Sequence, residues 1–178
     1  VPGEYHFEWL DDVISLLAEY GMKTVLGTPT AAPPAWLIEK EPEILPVDQY
    51  GIRRNFGGRH HDCHSNEIYR AYIKKLVTAM AEHFKDNPDV IGWQIDNELG
   101  NSHEDLCMCD SCARHYQEWL QRRYQNIDCL NHAWGNSFWS QEYDRFSQIC
   151  PPKITVTGRN PSAMLDLSLI HISEPTRL

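Results

Sequence analysis

Apolar and polar positions recur with two different periods along this chain, and the places where the period changes outline its elements. Leu10, Val13, Ile14 and Leu17 fall on one face of a helix, and Gly21 stands where that helix has to end. Lys23-Thr24-Val25-Leu26-Gly27 follows as a short buried strand. From Pro29 to about Arg59 the chain is Pro-rich and shows no sustained period, which predicts a long loop. Structureless loops above about 15 residues are uncommon in compact domains and mark function. Ser65 or Asn66 is placed to cap a second helix with the stripe Tyr69, Tyr72, Ile73, Leu76 and Met80, closed by Asn87-Pro88. Residues 90–95 read as a second strand. A third helix is expected from near Asp110 to Tyr124, with Cys112, Tyr116, Trp119 and Leu120 on one face. Helix, strand, loop, helix, strand, loop, helix is the order of an α/β fold with a parallel sheet. In α/β barrels the chemistry sits at the C-terminal ends of the strands, and both long loops begin there.

Composition narrows the function classes. With 178 residues, 42% of them hydrophobic, the chain can bury a sizeable core, as one domain or part of a larger one. A net charge of −9 argues against nucleic acid or an anionic membrane as partner. Six Trp, eight Tyr and five Phe suit a protein that stacks on flat apolar ligand faces, although aromatics are also ordinary core material. No apolar run reaches the roughly 18 residues of a membrane span. The chain opens at Val1 without a charged-then-apolar leader. The expected compartment is a bacterial-type cytoplasm, with an upstream leader left open.

The sharpest chemical signal is Gly92-Trp93-Gln94-Ile95-Asp96-Asn97-Glu98, an apolar strand ending in three polar residues. Glycoside cleavage needs one carboxylic acid to protonate the leaving oxygen and a second carboxylate across the sugar. A Glu at a barrel rim stays protonated near neutral pH when partly desolvated, and a neighbouring Asn can bond a sugar hydroxyl. The plainer alternative is that Asp96, Asn97 and Glu98 only cap or solvate a loop entry.

Trp93 to Glu98 resembles the acid/base motif of glycoside hydrolase family 42, whose members are mostly β-galactosidases. The likeness extends to Leu26-Gly27-Thr28-Pro29-Thr30-Ala31-Ala32-Pro33-Pro34-Ala35-Trp36-Leu37, to Glu43-Ile44-Leu45-Pro46-Val47-Asp48, and to Ala133-Trp134-Gly135 with Phe138-Trp139-Ser140-Gln141. It covers roughly residues 3–166. The resemblance implies a (β/α)8 TIM barrel, here roughly its second to fourth or fifth βα units, with residues 23–27 as the third strand and Glu98 closing the fourth. It implies a retaining β-galactosidase acting on β-galactosides, with Glu98 as acid/base and Asn97 on the sugar 2-hydroxyl. Arg59 matches a substrate-site arginine, and Trp139 a tryptophan lining the galactose subsite. Taken without the family, Arg59 reads as a solvated loop charge and Trp139 as a core aromatic. The family's nucleophilic Glu belongs to the seventh strand, and no residue here takes that role. The parent enzyme is expected to be a homo-oligomer, trimers being common in the family. A relative of other specificity, such as an α-L-arabinopyranosidase, and a zinc-stabilised carbohydrate-binding module without catalysis are the competing readings.

The six cysteines are an even number, but Cys107, Cys109 and Cys112 lie too close together for three long-range disulfides. Cys107-x-Cys109-x-x-Cys112 offers soft ligands on a loop entering a helix, and Cys63 is an available fourth. Four thiolates in a tetrahedron make a structural zinc site. Many members of the resembled family carry this set, which implies structural Zn2+. His64 follows Cys63 where proline is usual, and His64, His103 or His115 is an alternative ligand. Cys129 and Cys150 fall outside the pattern. Leu167-Ser-Leu-Ile-His-Ile-Ser-Glu-Pro-Thr-Arg177 resembles a translated sequencing adaptor. Residues 1–166 are therefore expected to be a partial catalytic barrel, and 167–178 a foreign, poorly packed tail.

Overall fold

The computed structural model describes residues 3–97 and 106–169. Helix α1 (Glu8–Glu19) ends as its pattern requires. Gly21 takes φ +72°, its N–H donates to Ala18 O at 2.9 Å, and that of Met22 donates to Leu17 O at 3.0 Å. Only a residue without Cβ takes this left-handed exit cheaply. Strand β1 (Thr24–Gly27) follows, then α2 (Ala35–Lys40), α3 (Glu67–Phe84) and strand β2 (Val90–Gln94). The two strands pair in parallel, with Val25 opposite Gly92, Leu26 opposite Trp93 and Gly27 opposite Gln94.

Each face of this sheet has its own role. Leu26 is buried with Ile14 of α1 and with Met80 and Phe84 of α3, the helix layer that covers one side. Burial of such side chains contributes about 1.5–3 kcal/mol apiece. On the other side lie Val25, Gly27, Gly92 and Gln94. A Cβ added at Gly92 would meet Val25 methyls at 3.7 Å, and one at Gly27 would meet Gln94 Oε1 at 3.8 Å. Val25 is 58% exposed there. Helices on one face, parallel strands joined by a helical crossover, and a small-residue opposite face are part of a (β/α)8 barrel.

The helix capped by Asn66 forms as expected, with Asn66 Oδ1 accepting the Tyr69 N–H at 3.0 Å. Three expectations need correction. The stretch 29–59 is not one structureless loop, because Pro33-Pro34 leads into α2, with Pro34 as its N-cap, and a 3-10 turn Pro42–Ile44 follows. These bury Leu37, Ile38, Ile44 and Leu45 against Tyr69 of α3. Strand β2 stops at Gln94, one residue short of the expected end, because Asp96 turns to φ +56°. Beyond α4 (Asp110–Tyr124) the chain forms two helices that the periodicity did not announce, α5 (Ile127–Trp134) and α6 (Pro161–Ser168).

Helices α4, α5 and α6 enclose a second core containing Tyr116, Trp119, Leu120, Leu130, Trp134, Ile149 and Leu167. Asp166 sits inside it, accepting from Tyr124 Oη at 2.7 Å and Trp134 Nε1 at 2.9 Å. Leu167 is fully buried in the last turn of α6, so the expected boundary at 166 falls inside a packed helix. Residues 170–178 of the expected tail lie outside the described residues. No helix among the described residues is long and apolar enough to cross a membrane.

Candidate active site and cysteine centre

The polar end of β2 meets the polar end of β1. The last ladder bond runs from Thr28 N–H to Gln94 O at 3.0 Å. The Asp96 N–H then donates to Thr28 Oγ1 at 2.7 Å, and the Asn97 N–H donates to Asp96 Oδ1 at 2.6 Å. Gln94 Nε2 donates to Asn97 Oδ1 at 2.9 Å, which leaves the Asn97 NH2 group available to donate elsewhere. Asp96 is buried and holds a left-handed backbone, a costly state in a residue other than Gly and one that collects at functional sites. Glu98, the expected acid/base, lies outside the described residues, as does His103.

A second loop folds over the first. The His60 N–H donates to Ala31 O at 2.7 Å, and the His61 ring bridges Gly58 O at 2.5 Å and Pro33 O at 3.1 Å. Arg59 stands on this strap with an exposed side chain. Beneath it Asp62 is fully enclosed, and neither carboxylate oxygen has a hydrogen-bond partner. His64 Nδ1 lies 3.4 Å from one of them. Burial first, and the nearby charge of Asp96 second, push the Asp62 carboxyl up to about 7. Tyr69 Oη donates to Thr30 O and anchors the β1 loop to α3.

Trp139 is not a core aromatic. It is 67% exposed on a 3-10 turn (Phe138–Ser140), at φ +54°, with its ring stacked on that of Phe138 at 4.5 Å between centroids. The structure therefore joins Asn97 to Gln94, Asp96 and Thr28, puts Arg59 on the strap, and sets Trp139 on a separate exposed turn. Sequence reasoning passed over Thr28, Asp62 and Gln94. Their only available signal was position, at or just beyond the C-terminal ends of the strands for Thr28 and Gln94.

Cys63, Cys107, Cys109 and Cys112 are all buried, and their sulfurs lie within 4.8 Å of one another. Cys63 Sγ is 3.6 Å from Cys109 Sγ and 3.4 Å from Cys112 Sγ. Four thiolates at about 2.3 Å from a tetrahedral zinc would stand roughly 3.8 Å apart, so the donor set fits such an ion. Hydrogen bonds from Cys107, Cys112 and Cys63 pull the Cys109 thiol well down. Hydrogen bonds with Cys107, Cys109 and Cys112, and burial after them, push the Cys63 thiol up. Cys109 is the N-cap of α4 and Cys112 lies in its first turn, where the helix dipole favours thiolate. His64 and His115 lie outside this set, His115 facing Glu67 at 3.5 Å. Cys129 and Cys150 are exposed, and none of the six cysteines forms a disulfide. The centre ties two loops together. The Val47 N–H donates to Cys107 Sγ at 3.3 Å, and the Met108 N–H donates back to Val47 O at 2.8 Å.

Parallel βα units with polar groups gathered past the strand ends define the chain as part of an α/β-barrel protein. The model of glycoside hydrolase family 42, described as β-galactosidase, matches residues 1–173, and the chain belongs to this family. It is 47% identical over 165 residues to a β-galactosidase of Thermus thermophilus, covering 93% of this chain and 26% of that protein. The solved structure of the β-galactosidase of the haloarchaeon Halorubrum lacusprofundi superposes with a TM-score of 0.92 at 42% identity, over 97% of this chain and 26% of that one. Gan42B, a family 42 β-galactosidase from G. stearothermophilus, gives 0.88 at 35% identity, over 97% of this chain and 25% of that one. The chain thus spans about a quarter of the length of the relatives it matches.

Proposed function

We propose that the chain supplies the acid/base half of a retaining β-galactosidase. The observation that carries this is the turn after β2, where the buried Asp96 and the Gln94-oriented amide of Asn97 gather past the C-terminal end of a barrel strand, immediately before Glu98 in the sequence. The names of its relatives give the substrate class. Glu98 protonates the glycosidic oxygen while a second carboxylate, from a barrel strand beyond this chain, attacks the anomeric carbon. Glu98, now ionised, deprotonates the hydrolytic water, which frees galactose. The NH2 group of Asn97 donates to the sugar 2-hydroxyl. Arg59 and Trp139 line the galactose subsite, Arg59 from a strap that two histidines pin to the β1 loop and Trp139 from an exposed ring able to stack on a sugar face. Cys63, Cys107, Cys109 and Cys112 would hold a structural zinc, which would offset half of the thiolates' charge and fix the loop after β1 to the start of α4. The segment 167–178 is read as foreign to the parent gene, and resequencing across the junction tests this.

The test uses the full-length enzyme. A panel of nitrophenyl glycosides should show β-D-galactoside as the preferred substrate, and a preference for α-L-arabinopyranoside would move the specificity elsewhere. Glu98→Ala should lose lactose hydrolysis, retain attack on activated aryl galactosides, and yield β-galactosyl azide when azide is added. Near-normal lactose activity, or an α-azide product, would overturn the role of Glu98.

A further inference from the structure

We propose that Thr28 is a positioning residue for the acid/base, acting through the backbone of Asp96; this rests on the reading of Glu98 above. Thr28 grips the end of β2 on both sides of Ile95. Its own N–H closes the ladder on Gln94 O, and its hydroxyl accepts the N–H of Asp96 at 2.7 Å. A ladder that stops at Gln94 leaves the Asp96 N–H without a strand partner, in a buried place where an unmet donor is costly. The hydroxyl meets that need and thereby holds Asp96 at φ +56°. Asp96 in turn accepts the Asn97 N–H through its own carboxylate, so the Thr28 hydroxyl orders the backbone of the two residues that precede Glu98 in the sequence.

Thr28 is itself held. Its carbonyl accepts from the Thr30 N–H at 2.9 Å, and the two hydroxyls stand 3.3 Å apart, so the Thr28 hydroxyl can donate to Thr30 Oγ1 while accepting from the Asp96 N–H. Tyr69 Oη fixes Thr30 O from α3. The chain of contacts runs from a helix through two threonines to the turn before the acid/base. Thr28 touches no reacting atom. Its contribution is geometric, and acid catalysis is the step that geometry serves, because proton transfer needs hydrogen-bond reach of the leaving oxygen.

The experiment compares Thr28→Val and Thr28→Ser in the full-length enzyme. Valine keeps the shape and removes the acceptor, whereas serine keeps the acceptor. Thr28→Val should lose on the order of 10- to 100-fold in kcat/KM on lactose. It should lose much less on dinitrophenyl galactoside, whose leaving group needs little acid help, and Thr28→Ser should keep the wild-type ratio of the two rates. Equal losses on both substrates, an unchanged lactose rate in Thr28→Val, or a serine variant as impaired as the valine one would each overturn the proposal. If Thr28→Val does not accumulate, Thr28→Ala carries the same expectation. Hydrogen exchange at the Asp96 amide reads the contact without activity, and it should be slow in the wild type and fast in Thr28→Val. Unchanged exchange overturns the positioning role. A wild type that cleaves no galactoside, or a Glu98→Gln variant that keeps its lactose rate, overturns the functional reading instead.

Discussion

Asp48 shows how much a single carboxylate organises on the loop after β1. Its Oδ1 accepts the N–H of Tyr50 at 2.8 Å and that of Ile52 at 2.9 Å, and Arg54 lies 3.6 Å from Oδ2. The Ile52 N–H above all, with those of Tyr50 and Gly51 and the Arg54 charge, holds its carboxyl below the usual range. A carboxyl lowered on folding stabilises the protein at pH values above its unfolded pKa, and that contribution is lost as pH falls through the folded one. Asp48→Ala should therefore lower the thermal midpoint at pH 7. The gap to wild type should close as pH falls below about 4, which differential scanning calorimetry across pH reads directly. Asp48→Asn keeps an acceptor and should lose less. At the same scale, Trp139→Ala should raise KM for galactosides by about 3- to 10-fold, the worth of one aromatic face, with kcat changed less. Steady-state kinetics separate the two. The candidate letters Glu98, Asn97 and the cysteines stand out at this scale by type and spacing, and of these the four cysteines are brought together by the fold. Thr28 does not stand out, because its role exists only once β1 and β2 are in register and their ends adjoin.

Elements were legible wherever one period ran long enough. The stripes of α1 and α3 span several turns; that of α3 matches its buried face, that of α1 does so except for the exposed Val13, and the apolar runs of β1 and β2 are bounded by turn residues. The missed helices α5 and α6 have eight residues each, too few turns to show a period. They are held by caps and by the shared core around Trp134 rather than by propensity. Helix α2 hid inside a Pro-rich stretch because Pro reads as a breaker, yet it is well placed at a helix N-terminus. Asn66 serves two elements at once, capping α3 and donating through Nδ2 to Glu43 O at 3.2 Å. Asn66→Ala should cost about 1–2 kcal/mol, measured by denaturant unfolding of the full-length protein, and a loss below a few tenths would show that the cap is replaced by water.

For the whole molecule, the two-stranded sheet is the decisive feature. Both outer strand edges need partners, and Ile91 and Ile95 are 66% and 71% exposed. Two strands alone are marginal in water, and unpaired edges invite association. A polypeptide made of these residues alone should bind ANS, associate, and hydrolyse no galactoside, whereas the same residues within a complete barrel should do none of the first two. Size-exclusion chromatography with a dye-binding assay settles the point, and a monodisperse, dye-silent product would mean that the helix layers suffice.

The reciprocal pairing of Val47 with Cys107 and Met108 has a practical outcome for anyone handling the intact enzyme. If the four sulfurs hold the proposed ion, a chelator strips it and an oxidant attacks the freed thiols, so the clasp between the two loops depends on what the sample has met. Two preparations with identical circular dichroism but different exposure to EDTA or peroxide should differ in specific activity and in half-life on heating. Metal content, measured batch by batch, then becomes the quantity against which rates are normalised.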